Sequence, residues 1–287
     1  MHMLIPLSPS GNPELPFIAA CAGRAVDLSD DQGAHLLQII PARWRAFHIL
    51  LTEFVDELVA VEAKAQPDGI ALIEAFRRII YDATEIFDCY ANLLPNRVKA
   101  ASNEERKSLS EFRTSAKRMR DFTANLCNRC KHAGAQLQFL WAVSTTSERR
   151  GARVLVQVFA GSGALIRDDK VHKGQLAGLG LVRIGHELAH NLLRIDHAAA
   201  KLINALGNQP VELMPSISAE IPIGPALRRL IELTATRHSD ECSKHDGLAF
   251  RENGIELTRV IAEDLGPNVR MTASLTVHEP TTSYGMM

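Results

Sequence analysis

Residues 181–206 read LVRIGHELAHNLLRIDHAAAKLINAL. Within them Leu181, Ile184, Leu188, Leu192, Ile195, Ala199, Leu202 and Leu206 recur at intervals of three and four, the stripe of a helix that buries one side. Helical spacing extends from about Gln175 to Leu206. The same spacing governs the first half of the chain. Phe47, Leu51, Phe54, Leu58 and Val61 form one stripe, and Leu72, Phe76, Ile79, Ala83, Ile86, Tyr90 and Leu93 form another on a helix from about Asp68 to Leu94 that Pro95 stops. Asp30 and Asp31 are placed to cap a short helix that ends near Pro41. Ser102 and Glu105 have the spacing of a capping box, in which each side chain takes up an unpaired amide at a helix start. The helix it opens turns Leu109, Phe112, Ala116, Met119, Leu126 and Cys130 inward.

The period changes after residue 135. Leu137, Phe139, Trp141 and Val143 alternate, and Val154 to Phe159 is followed by Ala160-Gly161-Ser162-Gly163 and a second apolar run, Ala164 to Ile166, which reads as a hairpin. Gly178 and Gly180 fall within the expected helix, where they permit close packing. Pro210, Pro215, Pro222 and Pro225 break the chain, a helix follows over about Ala226 to His238, and Val269 to Val277 alternates as a strand. The expected fold is mainly α (α+β): an antiparallel helical bundle with a small antiparallel β-sheet and a mixed C-terminal segment. Residues 1–29 form an extended N-terminal segment, 30–206 the helical bundle with its inserted β-hairpin, and 207–287 a Pro-rich connection and a mixed α/β segment.

Composition narrows the function. The 287 residues carry 32 Lys and Arg against 33 Asp and Glu, a formal charge of −1, so contact with nucleic acid or anionic lipid must come from a local patch. Five widely spaced cysteines do not form a disulfide framework and point to a reducing compartment. Ile18-Ala19-Ala20-Cys21 imitates a lipoprotein cleavage site, but no Lys or Arg precedes it, and Pro13, Glu14 and Pro16 interrupt any apolar core. No apolar run reaches the ~18 residues of a membrane span. The expectation is a cytoplasmic protein without a membrane partner.

Of the eleven histidines, six stand in one stretch: His172, His186, His190, His197, His238 and His245. His186-Glu187-Leu188-Ala189-His190 matches H-E-x-x-H. On a helix that spacing presents two imidazoles to Zn²⁺, with Glu187 placed to deprotonate a metal-bound water, the arrangement of a zinc-dependent metallopeptidase. A third ligand must complete such a site. His197 lies seven residues beyond His190, about 10 Å along a continuous helix, and Leu193 stands where nearby-ligand proteases place a glycine. Glu212, Glu220 and Glu232 are the distant alternatives. The favoured reading is plainer: His186, Glu187, His190, Arg194 and His197 are the polar flank of an amphipathic helix, and no cofactor is required. Cys127-x-x-Cys130 and Cys242-x-x-His245 have zinc-pair spacing, but two cysteines three apart on a helix suit buried packing better. No glycine-rich phosphate loop ends in Lys-Ser/Thr.

A second polar cluster closes the helix before the hairpin. Asn125, Asn128, Arg129 and His132 share a face, with Lys131 beside them. A guanidinium and an imidazole there can bind an RNA phosphate and act on a 2′-hydroxyl, whereas a solvated helix end with well-placed cations is the plain alternative. The segment from Tyr81 to Leu94, YDATEIFDCYANLL, followed by a basic helix ending in NLCNRCKH, resembles HEPN-like helical-bundle proteins of bacteria, many of which carry an N-x-x-K-H ending. Lys170-Val-His172-Lys173 and a helix centred on Asp196 also look like members of that group. The resemblance covers about residues 70 to 205. It implies an RNA-directed role in toxin or antiviral (phage) defence systems, as a ribonuclease or as a catalytically silent binding partner, with Asn128, Arg129, Lys131 and His132 as site residues and no metal on the H-E-x-x-H helix. The family's nucleases place four to six residues between Arg and His. This chain has two between Arg129 and His132, and its Arg43–His48 pair, correctly spaced, lies on an early helix. Two alternatives stand beside this reading: the zinc metallopeptidase, and a non-enzymatic assembly component that forms a homo-oligomer or joins a protein partner.

Overall fold

The computed structural model describes residues 3–21, 36–64, 68–132, 136–173, 178–206, 220–238 and 241–274. In chain order these form β1 (Met3–Ile5), α1 (Pro16–Cys21), α2 (Leu36–Glu62) and α3 (Ile70–Asp88). A π-helical turn (Cys89–Leu93) leads into α4 (Leu94–Arg97). Then come α5 (Asn103–His132), β2 (Gln136–Ser144), β3 (Arg150–Phe159), β4 (Leu165–Arg167), α6 (Asp169–His172), β5 (Leu179–Gly180) and α7 (Leu181–Ala205). The last are α8 (Gly224–Glu232), β6 (Thr236–Arg237), β7 (Lys244–Arg251), β8 (Gly254–Ile261), β9 (Glu263–Asp264) and β10 (Val269–Ser274). The protein is α+β. Helix α3 packs against α2 and α5, and α7 lies between α5 and α1 with β7 on its remaining side. Antiparallel pairing orders one sheet β10-β2-β3-β4, with β5 also on β3, and a second sheet β1-β8-β7; β6 and β9 pair in parallel. Among the described residues no helix is long and apolar enough to cross a membrane.

Local chemistry accounts for the boundaries. The capping box closes as its spacing implies: Glu105 N donates to Ser102 Oγ at 3.1 Å, and Ser102 N donates to Glu105 Oε2 at 2.9 Å. Pro41 does not end its helix. It lies inside α2, where the ladder loses one N–H donor, and the burial of Leu36, Leu37, Ile40 and Trp44 around it offsets that loss. The expected capping residues Asp30 and Asp31 lie outside the described residues. Pro95 also sits within a helical turn, at the start of α4. Gly178 and Gly180 are not helical. Gly178 adopts φ +71 before β5, and a Cβ there would approach the Val154 carbonyl oxygen to 2.9 Å. Helix α7 therefore starts at Leu181 rather than near Gln175. Helix α8 stops at Glu232, short of His238, because residues 236 and 237 pair with Glu263 and Asp264. Residues 3–21, expected as extended chain, hold both β1 and the short helix α1. The C-terminal alternation is a strand as far as Ser274, paired with β2; Leu275 and Val277 lie outside the described residues.

The helices meet on one buried carboxylate. Asp196, fully buried in α7, accepts from Phe17 N at 3.1 Å and from Tyr90 Oη at 2.5 Å, while Trp44 Nε1 donates to the same Tyr90 oxygen at 3.2 Å. Phe17 and Tyr90 also pack edge to face, with ring centroids 5.6 Å apart. Four elements are thus joined through two side chains, Asp196 and Tyr90. Tyr90 belongs to the π turn, whose extra residue shifts the facing of every side chain after it.

Burial raises Asp196 to about 7 against the two hydrogen bonds, which favour its charge. A carboxyl raised in the fold contributes stability that is fully present below its ordinary range and is lost as pH rises through about 7. Asp196→Ala leaves the Tyr90 and Phe17 donors unpaired and is expected to cost roughly 3 kcal/mol. Asp196→Asn keeps a polar, uncharged partner and is expected to gain on the wild type between pH 6 and pH 8. Urea denaturation at the two pH values checks both, and an Asn variant whose deficit grows with pH contradicts the assignment.

Candidate functional site

The flank of α7 that carries the H-E-x-x-H sequence is polar, as its residues imply, but it is not a solvent face. The hairpin of β7 and β8 lies across it, and His186 and His190 are 2% and 6% exposed. Gly247 permits the approach: a Cβ there would lie 3.5 Å from His186 Nδ1 and would overlap the Val260 side chain. From β7 a third histidine arrives, His245, 3% exposed, its ring edge-on to that of His186 with centroids 5.8 Å apart. Sequence reading missed this hairpin. Its signal was present in Asn253-Gly254, beside the two-residue turn between Arg251 and Gly254.

Burial holds these rings neutral. It pulls His186 down to about 4 against a hydrogen bond from its ring to the Leu230 carbonyl, and His186 Nδ1 has no partner among the described residues. It pulls His245 down to about 4, with the neighbouring His186 adding to the effect, and neither His245 nitrogen has a hydrogen-bond partner among the described residues. His190 is lowered by burial, with Asp246 opposing. Between the two histidines Glu187 is raised by burial, and the Arg183 guanidinium, with Nε 3.1 Å from Glu187 Oε1, opposes that rise. Helix α7 continues unbroken past Leu193, so His197 stays two turns from His190. Among the described residues no three His, Cys, Asp or Glu side chains form a group able to hold a metal ion. Glu212 lies outside the described residues. Glu220 instead accepts from Asn12 Nδ2 at 2.7 Å.

At the end of α5, Asn128 is exposed and Arg129 half-buried, with Arg129 Nε 2.9 Å from Oδ2 of the buried Asp168. Asp168 also caps α6, accepting from Lys170 N at 2.9 Å. Lys131 and His132 stand in the last turn of α5, and their side chains lie outside the described residues. Cys127 and Cys130 are buried on the same helix, and burial pushes Cys130 up to about 12, a thiol unsuited to metal binding or attack. Cys242 is exposed, donates to the Lys244 carbonyl at 3.1 Å, and makes no metal group with His245. Arg43, on α2, faces Glu85 of α3 at 3.5 Å, far in sequence from the α5 end. Compared with known proteins, the chain matches no family model, no curated protein and no solved structure.

The buried histidines carry a pH signature. A histidine lowered in the fold contributes stability that is fully present above its ordinary value and is lost as pH falls toward the folded one, here from 6.5 to about 4. One ring's share is at most roughly 3 kcal/mol. His245→Phe keeps a ring where no nitrogen is bonded. It is expected to match the wild type within about 1 kcal/mol at pH 7 and to lose stability less steeply down to pH 4.5. Denaturant titration across that range measures the slope, and an unchanged slope removes His245 from the account.

Proposed function

We propose that the chain is a HEPN-like helical-bundle protein of the cytoplasm that binds RNA at the C-terminal end of α5 and does not cut it, serving as the silent partner in a toxin or antiviral system. The observation that carries this reading is the Arg129–Asp168 pair at 2.9 Å. An ion pair with a buried carboxylate restrains the guanidinium at the end of α5, and its N–H donors suit a phosphate oxygen. The same carboxylate offsets the charge that would stabilise a transition state, so the pair favours binding over catalysis. The two-residue spacing from Arg129 to His132 agrees with that division. Asn128, exposed one residue earlier, adds an amide to the same surface. Five free thiols suit a reducing compartment.

Fluorescence anisotropy with a labelled single-stranded RNA tests the reading. Binding is expected to weaken with added salt, as phosphate contacts require, and Arg129→Ala and Asn128→Ala are each expected to weaken it by about tenfold or less. No binding beyond that of an inert protein of similar charge overturns the proposal. RNA cleavage that disappears in His132→Ala replaces the silent partner with a ribonuclease.

A further inference from the structure

A cavity of about 250 Å³ lies between α5, α7, the α6 turn and β7, and the RNA reading does not use it. It is smaller than the ~300 Å³ at which pockets for drug-sized ligands begin. Its wall contains Phe122, His172, Lys173, Arg183, Glu187, Asn191, Glu241 and Asp246.

Most of these charges are already spent. Arg183 is held by Glu187, and Glu241 by the buried Arg153 at 2.7 Å. Two opposite charges are left over. Among the described residues Lys173 has no carboxylate within ion-pair distance, and Asp246 has one ion pair, a loose one with Arg259 at 3.5 Å, beside its influence on His190. A third group is unspent. Val156 N donates to His172 Nε2 at 2.9 Å, so the neutral ring of this fully buried residue carries its proton on Nδ1, and Nδ1 has no acceptor among the described residues. A buried donor left open is costly. The next residue, Lys173, has φ +48, the one non-glycine residue in left-handed backbone among those described. Glycine would hold that conformation without strain; the chain places a cation there instead.

We propose that this cavity binds a small zwitterion of amino-acid size. Its carboxylate meets Lys173 and the His172 Nδ1–H, and its ammonium group meets Asp246, with the Asn191 amide and Glu187 alongside. The binding is non-covalent and independent of the α5 end.

Calorimetric titration and thermal melting of the full chain with each standard L-amino acid at millimolar concentration test the proposal. At least one is expected to bind with one-to-one stoichiometry and to raise the melting temperature. Its methyl ester and its N-acetyl derivative, each missing one charge, are expected to bind at least about tenfold more weakly. Lys173→Gly relieves the left-handed backbone, so it is expected to fold at least as stably as the wild type while losing about tenfold or more in affinity; Asp246→Asn is expected to lose affinity as well. The proposal fails if no amino acid binds, if the ester or the acetyl derivative binds as well as the parent, or if Lys173→Gly binds as the wild type does. RNA binding by the same preparations reports separately on the α5 end.

Discussion

The carboxylate of Asp196 is the constraint on which the helical layer depends. It is fully buried, and among the described residues two hydrogen-bond donors reach it from different elements: the amide of Phe17 in α1 and the hydroxyl of Tyr90 in the π turn. A group that costs this much to bury tolerates only packings in which both donors are in place. That requirement fixes the N-terminal helix against α7 and sets where the long α3 helix must take on its extra residue. A regular α-helix through Cys89–Leu93 would rotate Tyr90 relative to the residues that follow, and the π turn separates the facing of Tyr90 from that of Leu94 and Pro95. Trp44 extends the link into α2 through the same phenolic oxygen. The apolar stripes supply most of the burial energy, and the polar network selects one arrangement among the several that such stripes permit.

The opposite flank of α7 poses a different problem. A helix with Arg183, His186, Glu187, His190 and Arg194 in sequence would ordinarily leave them in water. The β7–β8 hairpin covers them, and its own face is adapted to the cover: Gly247 leaves room above His186, and His245 meets that ring edge-on. Imidazole can be buried neutral near pH 7 at a cost that a lysine or arginine would not meet so cheaply. Three of the six clustered histidines, His186, His190 and His245, thus stand where polar rings are sandwiched between a helix and a sheet.

Much of the fold was legible because it rests on local rules. The stripes of α2, α3, α5 and α7, the capping box at Ser102 and Glu105, and the hairpin of β3 and β4 each follow from residues within one element. What escaped the sequence was set by distant partners. Pro41 stays helical because Leu36, Leu37, Ile40 and Trp44 are buried around it, and helix α8 ends early because β9, some 30 residues later, claims residues 236 and 237. The β7–β8 strands hid behind Gly247 and the charged residues around the Asn253-Gly254 turn. For the site, spacing placed His186 and His190 on one helical face but carried no information about His245, which arrives from another sheet. It could not show either that Arg129 is held by Asp168, 39 positions away in the chain.

The Arg153–Glu241 pair shows how these distant claims are enforced. Both side chains are essentially without solvent, and the guanidinium donates to the Gly178 and Thr236 carbonyls as well as to Glu241, which also accepts from His238 N at 2.6 Å. One residue of β3 therefore ties the entry to α7 and the segment leading into β7 to the same sheet. An ion pair buried this deeply adds little net stability over an apolar replacement. Its effect is positional: loops on both sides of α7 carry carbonyls that only a planar, multiply donating cation can satisfy together. Arg153 holds the start of α7 and the segment leading into the hairpin at a fixed separation, and further along β3, Val156 N ties the His172–Lys173 turn to the same strand. These are the elements whose side chains face one another across the cavity, so its shape is set by the buried sheet behind it and not by the exposed residues at its mouth.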